Sequence, residues 1–195
     1  MMKAITLYDP WASLVELKQK KYETRDWPTK YRGPLAIHSA KSKHPWHLDF
    51  AWDEPFYTAL RERHEGSGVW FALGHILAIC NLTDCQMVVS LTEEEGKPVR
   101  ATLANGLTIT GNELSFGDYT PGRYAWKLEN THRLIKPILA KGHQRIWNWD
   151  ETPHLVAIDP YVCGPTKIWT PKGVISGRQS DTGKEDSMIG LEVMA

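Results

Sequence analysis

Apolar and polar positions along this chain fall into short runs, and few runs hold a helical period for long. Lys3–Leu7 (KAITL) predicts a strand, which Asp9-Pro10 breaks. Trp11–Lys18 (WASLVELK) then places Trp11, Leu14 and Val15 on one helical face. Tyr22–Trp27 alternates: Tyr22, Thr24 and Asp26 share one side, and Glu23, Arg25 and Trp27 the other. After a turn at Gly33, Pro34–Ser39 (PLAIHS) reads as a buried strand. Residues 44–65 predict a helix interrupted at Pro55 and stopped by Gly66-Ser67-Gly68. Gly74–Val89 is strand-rich, Glu93–Glu95 reads as a helical or loop segment, and residues 105–122 carry the Gly, Asn and Thr of a hairpin or loop. Tyr124–Leu134 alternates as a strand, and Pro137–Trp149 predicts a turn and one more short strand.

Short strands, few helices and frequent turn residues favour a mixed α+β fold, a small β-barrel with flanking helices. No internal repeat is visible. After about Asp159 the chain becomes rich in Gly, Pro, Ser and Thr without a sustained period. The expected organisation is one domain over residues 1–159 and a partly irregular tail over residues 160–195, with one added strand at Lys167–Trp169 as the alternative.

Charge changes the picture locally. Lys plus Arg and Asp plus Glu both number 23, so the net charge is zero. Residues 1–50 nevertheless hold nine Lys/Arg against five Asp/Glu, and residues 51–100 hold four against eight. The basic excess centres on KKYETRDWPTKYRGPLAIHSAK, residues 20–41. A basic patch suits an anionic partner, although a solvated face has the same composition. The three cysteines, Cys80, Cys85 and Cys163, argue against a disulfide scaffold. No signal peptide and no apolar run of membrane length is evident, so the expectation is a cytoplasmic protein with no membrane partner. Of the nine tryptophans, most are expected in the core and some along a groove.

The chemistry concentrates in Lys20-x-x-Glu23-x-Arg25. Glu23 and Arg25 lie two apart on a strand and face one side, with Lys20 at its entry. Such charges must pair, meet water, or meet a ligand. An ion pair that fastens the strand to the body is one reading. The other is a binding site, in which Arg25 holds a phosphate, Glu23 accepts from a base amino group or serves as general base, and Lys20 neutralises phosphate or, if desolvated, acts as base or nucleophile. Trp11, Trp27 and Tyr31 are candidates to stack a nucleobase, with core packing as their alternative. Arg32, His38, Lys41 and Arg123 complete the candidate nucleic-acid-binding set.

The stretch DPWASLVELKQKKYETRDWPTKYRGPLAIHSAK resembles the activating signal cointegrator homology (ASCH) domain, whose motif is G-x-K-x-x-E-x-R. The motif falls on Lys18, Lys20, Glu23 and Arg25, with Lys18 where the motif has a glycine suited to a tight turn. Residues 9–41 look like bacterial and phage members. GDYTPGRYAWKLEN and PILAKGHQRIWNW look like later strands of the same group, so the resemblance spans about residues 3–149. It implies a barrel similar to the PUA domain and a cleft lined by Lys20, Glu23 and Arg25. It also implies binding of RNA or a modified nucleotide. Some members resemble amidohydrolases that deacetylate acetylated cytidine, and others are linked to ribonuclease activity. Under an enzymatic reading Lys20 and Glu23 are the catalytic pair, although the short amidohydrolases have Thr at the position of Glu23.

Other signals are weaker. His38, His44, His47 and Asp49 raise the question of a metal, but Pro45 interrupts the spacing and no paired-cysteine or HExxH pattern is present. No metal and no cofactor is therefore expected; only a nuclease would call for a divalent cation. Cys80 and Cys85 read as core.

Overall fold

The computed structural model describes residues 1–42, 45–65, 68–150, 168–170 and 173–175. The chain runs β1 (Met2–Leu7), α1 (Trp11–Glu16), β2 (Tyr22–Arg25), β3 (Gly33–Ser39), α2 (Pro45–Asp49), α3 (Phe56–Ala59), β4 (His64–Glu65) and β5 (Gly68–Val69). It continues through β6 (His75–Glu94), β7 (Lys97–Leu103), β8 (Thr108–Ile109), α4 (Gly111–Ser115), β9 (Tyr124–Leu139) and β10 (Ile146–Trp149), with a small hairpin of β11 (Ile168–Thr170) and β12 (Gly173–Ile175). Eight strands form one sheet in the order β10-β1-β3-β6-β7-β8, and β9 joins β2 to β6 off this path. All described pairings are antiparallel except β1 with β3.

The expected predominance of strands with few short helices is found, and among the described residues the sheet does not close into a barrel. The sheet branches at β6, and its path ends at β10 and β8 without a pairing between them. The cause is the 20-residue length of β6, which pairs β3 and β9 over its first part and β7 over its last. Register shifts between Ile76 and Ala78, Ile79 and Asn81, and Leu82 and Asp84 mark irregularities along its β9 partner line. Such bulges bend a strand and increase its twist.

Other differences have local causes. Glu93 and Glu94 end β6 rather than forming a helix. Glu94 pairs with Lys97, leaving Glu95 and Gly96 as a two-residue turn with φ of 51° and 73°. Two positive φ values are those of a type I′ hairpin turn, and glycine enters that region without a Cβ penalty. The helix expected over 44–65 is broken into α2, α3 and two single 3₁₀ turns at Phe50–Trp52 and Arg61–Arg63. Residues 105–122 contain the Asn105-Gly106 turn between β7 and β8 together with α4. β9 continues past Leu134 to Leu139. In the C-terminal region Ile168–Thr170 pairs with Gly173–Ile175, close to the added strand weighed as an alternative. The boundary at residue 159, His44 and Cys163 lie outside the described residues.

α1 has almost no solvent face. Ala12 and Val15 pack with Ile5, Leu35, Leu77 and Trp126 against the sheet. Leu14 and Leu17 pack with Phe56, Leu60 and Phe116 on the other side. Glu16 is thereby buried and must be paired. Arg63 binds its Oε2 from the 3₁₀ turn, and Arg133 Nε lies 2.9 Å from its Oε1. Burial pushes the Glu16 carboxyl up, and the two arginines oppose that shift. The start of α1 is held by a second buried carboxylate. Asp9 accepts from Ser13 N and Ser13 Oγ at 3.0 and 2.6 Å and from Ser39 Oγ at the end of β3.

Arg63→Ala should destabilise the fold by roughly 3–5 kcal/mol, because it removes the buried partner of Glu16 and leaves the carboxylate only Arg133, whose side chain is 43% exposed. Urea unfolding checks it. Glu16→Gln combined with Arg63→Met should recover most of the loss.

Candidate functional site

The motif residues are placed by the reversal that follows α1. Lys18 adopts φ of 62°, the left-handed region for which a glycine is suited. A non-glycine residue there costs about 1–2 kcal/mol. The N–H groups of Gln19 and Lys20 both donate to Leu14 O, at 2.9 and 3.1 Å, which turns the chain back toward β2. Lys20 then points inward and is 2% exposed. Its Nζ donates to Phe116 O at 2.9 Å and lies 3.8 Å from Glu23 Oε2. Burial pushes the Lys20 ammonium below the usual lysine range, and Glu23 and Glu113 oppose the shift.

Glu23 sits between two cations. Its other oxygen, Oε1, lies 3.1 Å from Arg25 Nε. The approach is misaligned for a hydrogen bond, so that buried N–H remains without one. Arg25 is anchored at its other end, where Nη2 donates to Thr6 O of β1 at 3.1 Å. The ion-pair reading of this trio has its geometry here, and each of the three also lines a cavity.

Two neighbouring cavities border the trio. The smaller, about 370 Å³, is lined by Lys20, Glu23, Trp11, Phe50, Phe56 and Arg123, with Thr24 and residues 115–118. The larger, about 800 Å³, is lined by Arg25, Trp27, His38 and Lys41 together with Tyr8, Asp26 and the segment 140–145. Four cations, Arg25, Lys41, Lys141 and Arg145, border the larger cavity against one carboxylate, Asp26. Arg145 also lies over the Trp27 ring at 5.7 Å. Trp27 itself packs edge-on against the buried Trp126 at 4.6 Å, which fixes its orientation.

His38 forms part of the larger cavity's wall although it is 1% exposed. Its Nε2 lies 3.1 Å from Ala140 O, so this nitrogen carries the hydrogen. Burial pushes its pKa below the usual histidine value, which keeps the ring neutral at pH 7. The segment 140–145 closes against this ring: a Cβ on Gly142 would sit 2.4 Å from His38 Cε1, an approach only glycine allows.

Tyr31 and Arg32 line neither cavity. The Tyr31 hydroxyl donates to Pro34 O, and Arg32 donates to Thr29 O and Tyr31 O and lies 3.6 Å from Asp84. Both hold the loop before β3. Sequence reasoning missed Tyr8, Phe50, Phe56, Lys141, His143 and Arg145. The signal for the last three was present in KGHQR, residues 141–145, where two cations and a histidine precede β10. Among the described residues no group of His, Cys, Asp or Glu is arranged to hold a metal ion. Cys80 is buried and its thiol is pushed up to about 12 by burial, whereas Cys85 is only partly buried.

The ASCH domain family model matches residues 5–138, more than half of the chain. The chain belongs to the ASCH family. This places it in the PUA-like group of folds, and the family is associated with RNA binding. Lys20, Glu23 and Arg25 lie inside the matched region of this ASCH domain, and the basic segment 141–145 lies just beyond it. No curated protein matches the chain. No helix among the described residues is long and apolar enough to cross a membrane.

The depressed Lys20 value has a stability consequence. The folded value lies below the unfolded value of 10.5, so the unfolded chain binds the extra proton between them. Stability linked to Lys20 is thus fully present above 10.5 and is lost as pH falls through the folded value. Urea unfolding from pH 7 to 10.5 should show wild type gaining on Lys20→Met as pH rises. Parallel curves for the two proteins would contradict it.

Proposed function

We propose that this ASCH domain binds single-stranded RNA or a modified nucleotide, with the larger cavity as the phosphate-binding region. The observation that carries this reading is the cationic border of Arg25, Lys41, Lys141 and Arg145 around a cavity that also presents Trp27 and Tyr8. Cations track the phosphates, and an aromatic face accepts a base of any sequence. The neutral net charge of the whole chain is compatible with this, because the field that matters is local. The family association with RNA points to the same class of ligand.

A second reading is favoured by one feature of the smaller cavity. Lys20 is buried, has a lowered pKa, and stands 3.8 Å from a carboxylate. A desolvated lysine beside a glutamate can serve as the acid–base pair of a hydrolase, either a ribonuclease on single-stranded RNA or an amidohydrolase on acetylated cytidine. Under that reading product must form over many turnovers and vanish in Lys20→Ala. RNA recovered intact, with acetylated cytidine unchanged, would leave the binding reading alone.

Titration with labelled single-stranded RNA over a range of salt tests the binding reading. Affinity should fall with salt with a slope of about −0.7 per phosphate contact. Lys141→Ala combined with Arg145→Ala, both exposed, should weaken binding and flatten the slope by roughly 1.4. An unchanged slope in the double variant would refute the assignment of the larger cavity to phosphate.

A further inference from the structure

Two independent features join the cavities. The first is their shared wall. Glu23 lines the smaller cavity, Arg25 lines the larger, and the two side chains meet there at 3.1 Å. The second is a run of aromatic rings that passes from one to the other. Tyr8 lines the larger cavity, and its ring centre is 4.6 Å from that of His47. His47 lies 5.2 Å from Trp11, and Trp11 lies 5.7 Å from Phe50. Both Trp11 and Phe50 line the smaller cavity. These separations are those of rings in contact.

The two ends of this run are accessible, while His47 between them is buried and holds them together from beneath. Tyr8 is 41% exposed and Phe50 is 37% exposed. A basic rim followed by exposed aromatic faces matches a polymer that alternates phosphates with flat bases. An apolar peptide would use the rings but leave the cations of the larger cavity without a role. The smaller cavity has room for an unpaired base, which excludes a duplex from it. At its wall the Glu23 carboxylate is an acceptor for a base amino group.

We infer that the two cavities are successive subsites for neighbouring nucleotides of one single strand, which crosses between them past the exposed rings of Tyr8 and Phe50. This rests on the nucleic-acid reading above and adds to it a minimum ligand length of two nucleotides. The phosphate of one nucleotide meets the cations of the larger cavity. The base of the next enters the smaller cavity, between the aromatic face and Glu23. The segment from α2 to α3 supplies Phe50 and Phe56, so this insertion builds the second subsite.

Calorimetric titration of the full chain with adenosine monophosphate, the adenylate dinucleotide and the adenylate hexanucleotide tests the inference. The dinucleotide should bind about tenfold more tightly than the mononucleotide, the gain from one added stacked base. Phe50→Ala should remove most of that step, and Phe50→Tyr, which keeps the ring, should retain it. A mononucleotide that binds as tightly as the dinucleotide, or a step that survives Phe50→Ala, overturns the inference and leaves the proposed function standing. If none of the three binds, both fall, and the aromatic run becomes a surface for a protein partner.

Discussion

The backbone of β6 carries hydrogen-bonding groups along both edges for 20 residues, and the arrangement of the molecule follows from satisfying them. β3 pairs with residues 76–82, β9 with residues 75–87, and β7 with residues 88–94. β3 carries β1 and, through it, β10, while β9 carries β2. Both cavities are consequences of this branching. β2, with Glu23 and Arg25, is brought beside β1 by two separate lines of strands, and the gap between them is bridged by Arg25 reaching Thr6 O.

The same packing forces charges inward. α1 fills the space between the sheet and the short helical pieces after β3, so its polar residues have little water to face. Asp9, Glu16 and Lys20 each answer burial with specific partners: two serines, two arginines, and a carbonyl with a carboxylate. An isolated buried charge costs several kcal/mol, so these pairings are conditions for α1 to occupy its position rather than additions to it. Lys20 differs from the other two in that it borders a cavity. The structure thus keeps a desolvated amine at the edge of accessible space, which links the packing of α1 to the chemistry the site can support.

The two cavities differ in composition. The larger has cations on exposed segments, with Lys41 after β3 and Lys141 and Arg145 before β10. The smaller has aromatic walls and the buried Lys20–Glu23 pair. Long-range attraction of an anion needs only the first. Under the proposed binding reading, selection of one base falls to the second, where fixed groups would meet a desolvated ring edge. Glu23 and Arg25, two residues apart on one strand, are the point where the two cavities touch.

Local spacing was enough to read much of this. The alternation of Tyr22–Trp27 placed Glu23 and Arg25 on one face, and they do meet there; β1, β3 and β10 were equally plain, because a strand's period of two is written in consecutive residues. The motif's glycine position likewise marked a reversal that Lys18 makes with a left-handed backbone. What spacing could not supply was depth and neighbourhood. Lys20 is buried because Phe116, 96 residues away, receives its proton donor, and His38 is walled in by Ala140, 102 residues away. The grouping of the motif residues around two cavities, the placement of Lys141 and Arg145 on the same cavity as Arg25, and the branching of the sheet all depend on such distant pairings. The sequence by itself determined which side chains share a face of an element; tertiary structure alone decided how far each is removed from water and which charges face it, because burial and electrostatics depend on distance in space rather than distance along the chain.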